Sequence, residues 1–184
     1  MPPLDDYTID DLLTLPDLPP HTELIDGSLV LVSPQRYFRS ATIDLLVTGL
    51  RSTVPSDLKV AREMTVVLDR RNGPEPDISV IKAEARKGLR QTCFEGKDVV
   101  LAIEVVSPES EARDRLTKTH KYAAAGIRYY WLVEMTEPEG HPAVEIFELS
   151  EVTGTYQSIG TYRDRVKVDK PYPIDIDLTA IDNL

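Results

Sequence analysis

A single cysteine, Cys93, rules out an internal disulfide, and with no paired cysteine or nearby histidine it marks no zinc site, so the thiol reads as structural. Histidine is nearly as scarce. Of the three, His120 and His141 stand isolated and His21 lies beside the prolines of a loop, which excludes an imidazole-based metal centre. No apolar run approaches the ~20 residues of a membrane helix, and the early acids Asp5, Asp6, Asp10 and Asp11 stand where a signal peptide would be basic. A cytoplasmic protein with no membrane partner is expected. No glycine-rich turn joins a first strand to a helix, which excludes a doubly wound dinucleotide fold. Positive charge is also short: 21 Lys and Arg against 31 Asp and Glu leave a net charge of −10. Because nucleic-acid binding is mainly neutralisation of phosphates by Lys and Arg, the chain as a whole repels DNA unless its basic residues gather on one face.

What is present is a core. At 184 residues and 41% hydrophobic content the chain suits one domain, 1–184, without internal repeats or low-complexity segments. Tyr7 to Leu13 begins a helix capped by Thr8, with Asp11 completing a capping box, and Pro16, Pro19 and Pro20 end it. Thr22–Ile25 and Ser28–Val32 flank Asp26-Gly27, a two-residue hairpin signal, and Ser33-Pro34 stops the second strand. Phe38 to Thr53 carries a helical apolar stripe through Ala41, Ile43, Leu45, Leu46, Val47 and Leu50, closed by Pro55. Leu58–Ala61 and Thr65–Leu68 read as one strand or two pieces. From Lys82 to Lys97 a polar, basic-leaning connection reads as a loop and flap. After Trp131, Ala143–Leu149, Gly154–Gly160 and Arg165–Val168 form a meander, and alternating Ile174, Ile176 and Leu178 place the tail along an edge. The sum is an α/β (α+β) arrangement around one mixed sheet.

The chemistry concentrates between Pro76 and Trp131. Asp77 opens a short apolar strand, and Glu104 interrupts the almost wholly apolar strand Val99–Val106. A carboxylate in a strand covered on both faces costs several kcal/mol unless a partner or a metal compensates it. If the two strands pair, both carboxylates converge on one face, and an oxygen-only pair favours Mg2+ or Mn2+ over zinc. Ser110 to Ala125 reads as a helix ended by Gly126 and bearing Arg113, Arg115, Lys118 and Lys121. Lys118 can place a positive charge beside the acids, and by spacing alone Lys121 serves as well. Each residue also has a plain structural reading: Asp77 as a turn cap, Glu104 bridged to Arg113 or Arg115, Lys118 in solvent, Glu23 in a cross-strand pair, and Tyr122 and Trp131 in the core.

Pro76-Asp77, Glu104, the helix Arg113-Asp114-Arg115-Leu116-Thr117-Lys118 through Tyr122 to Ile127, and Tyr130-Trp131-Leu132-Val133 together resemble the Uma-two branch of the PD-(D/E)XK nuclease superfamily. The Glu23-Leu24-Ile25-Asp26-Gly27 hairpin is similar to its N-terminal pattern, so the resemblance spans roughly residues 22–135. It implies a restriction endonuclease-like core, a mixed sheet flanked by helices with an N-terminal hairpin and a C-terminal meander. It also implies Asp77 and Glu104 as ligands of Mg2+ or Mn2+, Glu23 as a further acid, and Lys118 as a migrated lysine, since Val106 stands two residues after Glu104 where the basic superfamily pattern has lysine. The expectation is an endonuclease acting on nucleic acid, DNA in the first instance, as a homodimer, with Arg113, Arg115 and Lys121 on the phosphates and Lys82, Arg86, Lys87 and Arg90 assisting. Two alternatives stand beside it: a non-catalytic metal-binding or regulatory scaffold that retains the nuclease fold, and a hydrolase of small phosphodiesters.

Overall fold

The computed structural model describes residues 6–31, 36–108 and 110–184. Helix α1 (Ile9–Thr14) starts where the sequence places it: the Asp11 N–H donates to the Thr8 hydroxyl and the Asp11 carboxylate accepts from the Thr8 N–H. Strands β1 (Glu23–Ile25) and β2 (Ser28–Val30) pair antiparallel through Asp26 and Gly27, both at positive φ as a type I′ turn requires. Val32 and the Ser33-Pro34 stop lie outside the described residues. Helix α2 (Tyr37–Thr53) buries Ala41, Ile43, Leu46, Val47 and Leu50 along one stripe.

Strands β3 (Leu58–Arg62), β4 (Thr65–Val67), β5 (Ile78–Lys82), β6 (Cys93–Glu95) and β7 (Val99–Val105) follow. The region read as one strand or two is therefore two, and β4 leaves the main sheet to pair in parallel with β6. The connection after Lys82 is not all loop, because it contributes β6 and two short 3-10 turns. After β7 comes a helical crossover, π-wound over Arg113–Lys118 and continuing as α3 (Thr119–Ala124). Strands β8 (Tyr129–Met135), β9 (Pro142–Leu149) and β10 (Tyr156–Tyr162) complete a six-stranded mixed sheet ordered β10-β9-β8-β7-β5-β3, in which the β7–β8 pair is parallel and the others antiparallel. A parallel pair needs a crossover element, and here that element is the helix carrying Lys118.

The tail differs from its expected place. Strands β11 (Arg165–Val168) and β12 (Ile174–Asp177) form their own hairpin, and Ile174, Ile176 and Leu178 pack with Ile43, Leu46 and Leu50 of α2 instead of along a sheet edge. Gly49 permits that approach, since a Cβ there would lie 2.5 Å from Ile176 Cγ1. Thus α2 and the tail hairpin cover one face of the sheet, with Leu101, Ile103 and Val105 beneath them. Val66, Phe94, Tyr122 and Tyr130 form the core on the opposite face, with Ala102 and Leu132.

Candidate active site

The two cores explain where Glu104 points. Because side chains alternate along a strand, Glu104 shares the face of Ala102, toward Tyr122 and the crossover helix. The β5–β7 ladder pairs Ile78 with Ile103, and one residue further in that antiparallel register lies Asp77, just ahead of β5, opposite Glu104. Directly opposed residues sit about 4.5–5.5 Å apart at Cβ, so strand pairing alone brings the two acids together. Glu104 is 3% and Asp77 1% exposed.

Lys118 reaches this pair from the π-wound turn. Its Nζ is 2.9 Å from Glu104 Oε1, 2.7 Å from Glu23 Oε1 and 3.4 Å from Asp114 Oδ1. Within that turn the Asp114 carbonyl accepts from the Thr119 hydroxyl at 3.0 Å and from the Tyr130 hydroxyl at 2.8 Å. Lys121 points elsewhere, with Nζ 2.5 Å from Asp26 Oδ1 at the hairpin turn. Of the two lysines, Lys118 joins the acids.

Burial pushes the Glu104 carboxyl well above the ordinary carboxylate range, with Lys118 opposing the shift and Asp114, Asp77 and Glu23 adding to it. Asp77 is raised by burial too, against the pull of Arg39. Burial alone would lower Lys118, but Glu104, Glu23 and Asp114 outweigh it, so its ammonium is held charged beyond the normal lysine range.

Three members of the cluster were not singled out from sequence as site residues. Arg39, in the first turn of α2, donates to Asp77 Oδ1 across 38 residues of chain, and no local signal announces that pair. Asp114 is buried, and its i,i+4 spacing to Lys118 was the available clue. Tyr122 is core, as expected, but its hydroxyl also donates to Glu104 Oε1 at 2.7 Å. Of the residues expected on phosphates, Arg113, Arg115, Lys121 and Lys82 are already engaged, whereas Arg86, Lys87 and Arg90 are exposed. Arg113 Nε lies 3.5 Å from Glu23 Oε2, and Arg115 pairs with Glu134 and sits 3.5 Å from Glu111. Lys82 donates to the Lys97 carbonyl at 3.0 Å.

A divalent cation fits this donor set. Among the described residues, the carboxylates of Glu23, Asp77, Glu104 and Asp114 meet three cationic side chains, Arg39, Arg113 and Lys118, and the buried oxygens Glu23 Oε2 and Asp114 Oδ1 accept no hydrogen bond, having only the ion-pair contacts of Arg113 at 3.5 Å and Lys118 at 3.4 Å. No three His, Cys, Asp or Glu among the described residues form a ready-made cage. Two carboxylates and retained waters are the binding habit of Mg2+. A cleft of about 330 Å³ lined by Arg36, Phe38, Arg39, Ser107, Glu111 and Glu134 opens beside the end of β7.

Comparison with known proteins places these features. The family model Uma2, described as "putative restriction endonuclease", matches residues 9–180. A solved structure described as "a putative nuclease belonging to DUF820", from Anabaena variabilis ATCC 29413, is 17% identical, with a TM-score of 0.72 over 96% of this chain and 98% of that one, which shows a shared fold. NucC of P. aeruginosa ATCC27853 in its cAAA-bound form is 8% identical, with a TM-score of 0.41 over 78% of this chain and 84% of that chain. At that level it carries no weight. No curated protein matches the sequence.

Proposed function

The chain belongs to the Uma2 "putative restriction endonuclease" family, and from that premise we propose that it is a metal-dependent endonuclease hydrolysing phosphodiester bonds of nucleic acid, with DNA as substrate. The observation that supports this best is the convergence of Asp77 and Glu104 from paired strands with Lys118 Nζ 2.9 Å from Glu104 Oε1.

Asp77 and Glu104 would hold Mg2+ or Mn2+, which supplies water of lowered pKa and neutralises charge developing on a phosphate. In the metal-free protein the surrounding carboxylates of Glu104, Glu23 and Asp114 raise Lys118 against the effect of burial. Beside a bound cation Lys118 would orient or help deprotonate the attacking water and offset negative charge. Glu23 holds Lys118 at 2.7 Å and receives the Glu75 N–H at 2.8 Å, so it fixes the ammonium's position. Tyr122 fixes the Glu104 rotamer through its 2.7 Å hydrogen bond.

A second reading, a scaffold that binds metal without turnover, draws on the engagement of Arg113, Arg115 and Lys121 with acids of the same chain. An acidic nuclease whose cations are so occupied would depend on dimerisation or a partner to receive DNA. Titration of Mn2+ and Mg2+ by calorimetry into the wild type and Asp77→Ala, followed by plasmid nicking at low salt, separates the two. Binding and nicking that vanish together in the variant support the nuclease. Binding with no nicking at any concentration of plasmid selects the scaffold or a nuclease that lacks its partner, and absence of binding to the wild type both with and without DNA overturns both.

A further inference from the structure

Asp77 has no oxygen to spare. Its Oδ2 accepts the Val105 N–H at 2.6 Å and its Oδ1 accepts from the Arg39 guanidinium. The Val105 bond is compatible with a bound cation, because it occupies one oxygen and leaves the other. The Arg39 bond is not, since a guanidinium on Oδ1 places positive charge where a cation would approach. Arg39 has a second neighbourhood. It lines the cleft of about 330 Å³ with Arg36, Phe38 and Ser107, together with Glu111, Glu137 and Glu134, the last neutralised by Arg115, while its side chain is 14% exposed. The residue thus stands between the buried acid and the opening beside it, and it comes from α2, an element separate from the strands that carry the acids.

We propose that Arg39 is a substrate-operated latch: a phosphodiester entering the cleft takes the guanidinium from Asp77, and the freed Oδ1 completes the cation site opposite Glu104. The inference rests on the nuclease reading given above and goes beyond it by coupling cation binding to substrate binding. A planar guanidinium pairs bidentately with carboxylate or phosphate, so the exchange replaces one charge-assisted contact by another and needs only rotation of the Arg39 side chain. Removal of Arg39 then has two opposite effects. Asp77 stays buried with no cation beside Oδ1, which destabilises the metal-free protein, and the cation meets no competitor, which tightens its binding. A residue that merely helped hold the site together would weaken metal binding when removed.

The test uses the full chain, Mn2+ and a short DNA duplex with phosphorothioate linkages that resist cleavage. Calorimetry on wild type, Arg39→Met and Arg39→Lys, with and without duplex, is paired with thermal melting in the absence and presence of Mn2+. For the wild type, saturating duplex should tighten Mn2+ binding by about tenfold or more, the reach of a coupling between 1 and 3 kcal/mol. Arg39→Met should bind Mn2+ more tightly than wild type without duplex, lose the duplex effect, and melt lower than wild type in chelator with a larger gain from Mn2+. Arg39→Lys should keep part of the coupling. Weaker Mn2+ binding in Arg39→Met, or wild-type binding indifferent to duplex, overturns the latch while leaving the metal site standing. If neither wild type nor Arg39→Met binds Mn2+ although both melt cooperatively, the nuclease reading itself falls.

Discussion

Lys118 is 3% exposed and lies within 3.4 Å of an oxygen of each of three buried acids, Glu23, Glu104 and Asp114. Such a group is costly to bury alone and costlier to remove, because truncation strands the carboxylates it compensates. Lys118→Met should therefore lose about 3–5 kcal/mol in urea unfolding, the range for breaking a buried pair. Mn2+ should return more stability to this variant than to wild type, since a bound cation then replaces the missing ammonium. Tyr122 offers a milder test of the same cluster. Tyr122→Phe keeps the ring packed against Tyr130 and removes only the donor to Glu104 Oε1. Partners of this outer kind govern metal affinity by about 10–100-fold. Calorimetric Mn2+ affinity should fall by that order while the far-ultraviolet circular dichroism stays that of wild type; an unchanged affinity would mean that Glu104 is oriented without Tyr122.

Between elements, the docking of the β11–β12 hairpin on α2 turns on two contacts. Gly49 lies against Ile176, with 2.5 Å between a notional Cβ and Ile176 Cγ1, and Tyr172 donates its hydroxyl to the Leu50 carbonyl at 3.1 Å. Gly49→Ala should cost about 1–3 kcal/mol through overpacking. Pairing it with Ile176→Ala, which removes the clashing atoms, should make the two losses less than additive in denaturant titrations. Tyr172 adds a pH signature. Burial pushes its phenol up from 10.0 to about 12, so the folded state favours the protonated form. The stability this contributes is complete below the unfolded value and disappears as pH rises through about 12. Tyr172→Phe should therefore be less stable than wild type near neutrality by about 1 kcal/mol, one hydrogen bond, and the gap should narrow above the normal tyrosine pKa. A gap that widened with alkali would reverse the assignment. The tail's alternation at Ile174, Ile176 and Leu178 was legible in the sequence, but its partner was not, because period-two spacing says that one face is buried and not what buries it. The π winding over Arg113–Lys118 was hidden for a similar reason. The helix itself was expected, yet the donor that serves the Asp114 carbonyl includes Tyr130, a strand residue 16 positions away.

Across the molecule, the acids of the candidate site could be singled out because each breaks a local rule: Glu104 charges an apolar strand and Asp77 opens one. Their basic counterparts were less so, since an arginine in a helix is ordinary until the fold shows what it faces, and Arg39 is the case in point. The same distinction governs binding. The net charge is −10, and Arg113, Arg115 and Lys121, on the helix beside the acids, are spent on Glu23, Glu134 and Asp26. Arg36 and Arg39 border the cleft beside the acids and are the residues best placed to neutralise phosphates. Counterion release makes the logarithm of the association constant fall with the logarithm of salt at a slope of about −0.9 per phosphate contact on duplex DNA, so two such contacts give a slope near −2. Fluorescence anisotropy of a labelled duplex from low to physiological salt should show that shallow dependence together with weak absolute affinity, and Arg36→Ala should reduce the slope by about one. A slope several times steeper would mean that positive surface is assembled elsewhere, by a second copy of the chain, and light scattering at the same protein concentrations would then find a dimer on the DNA.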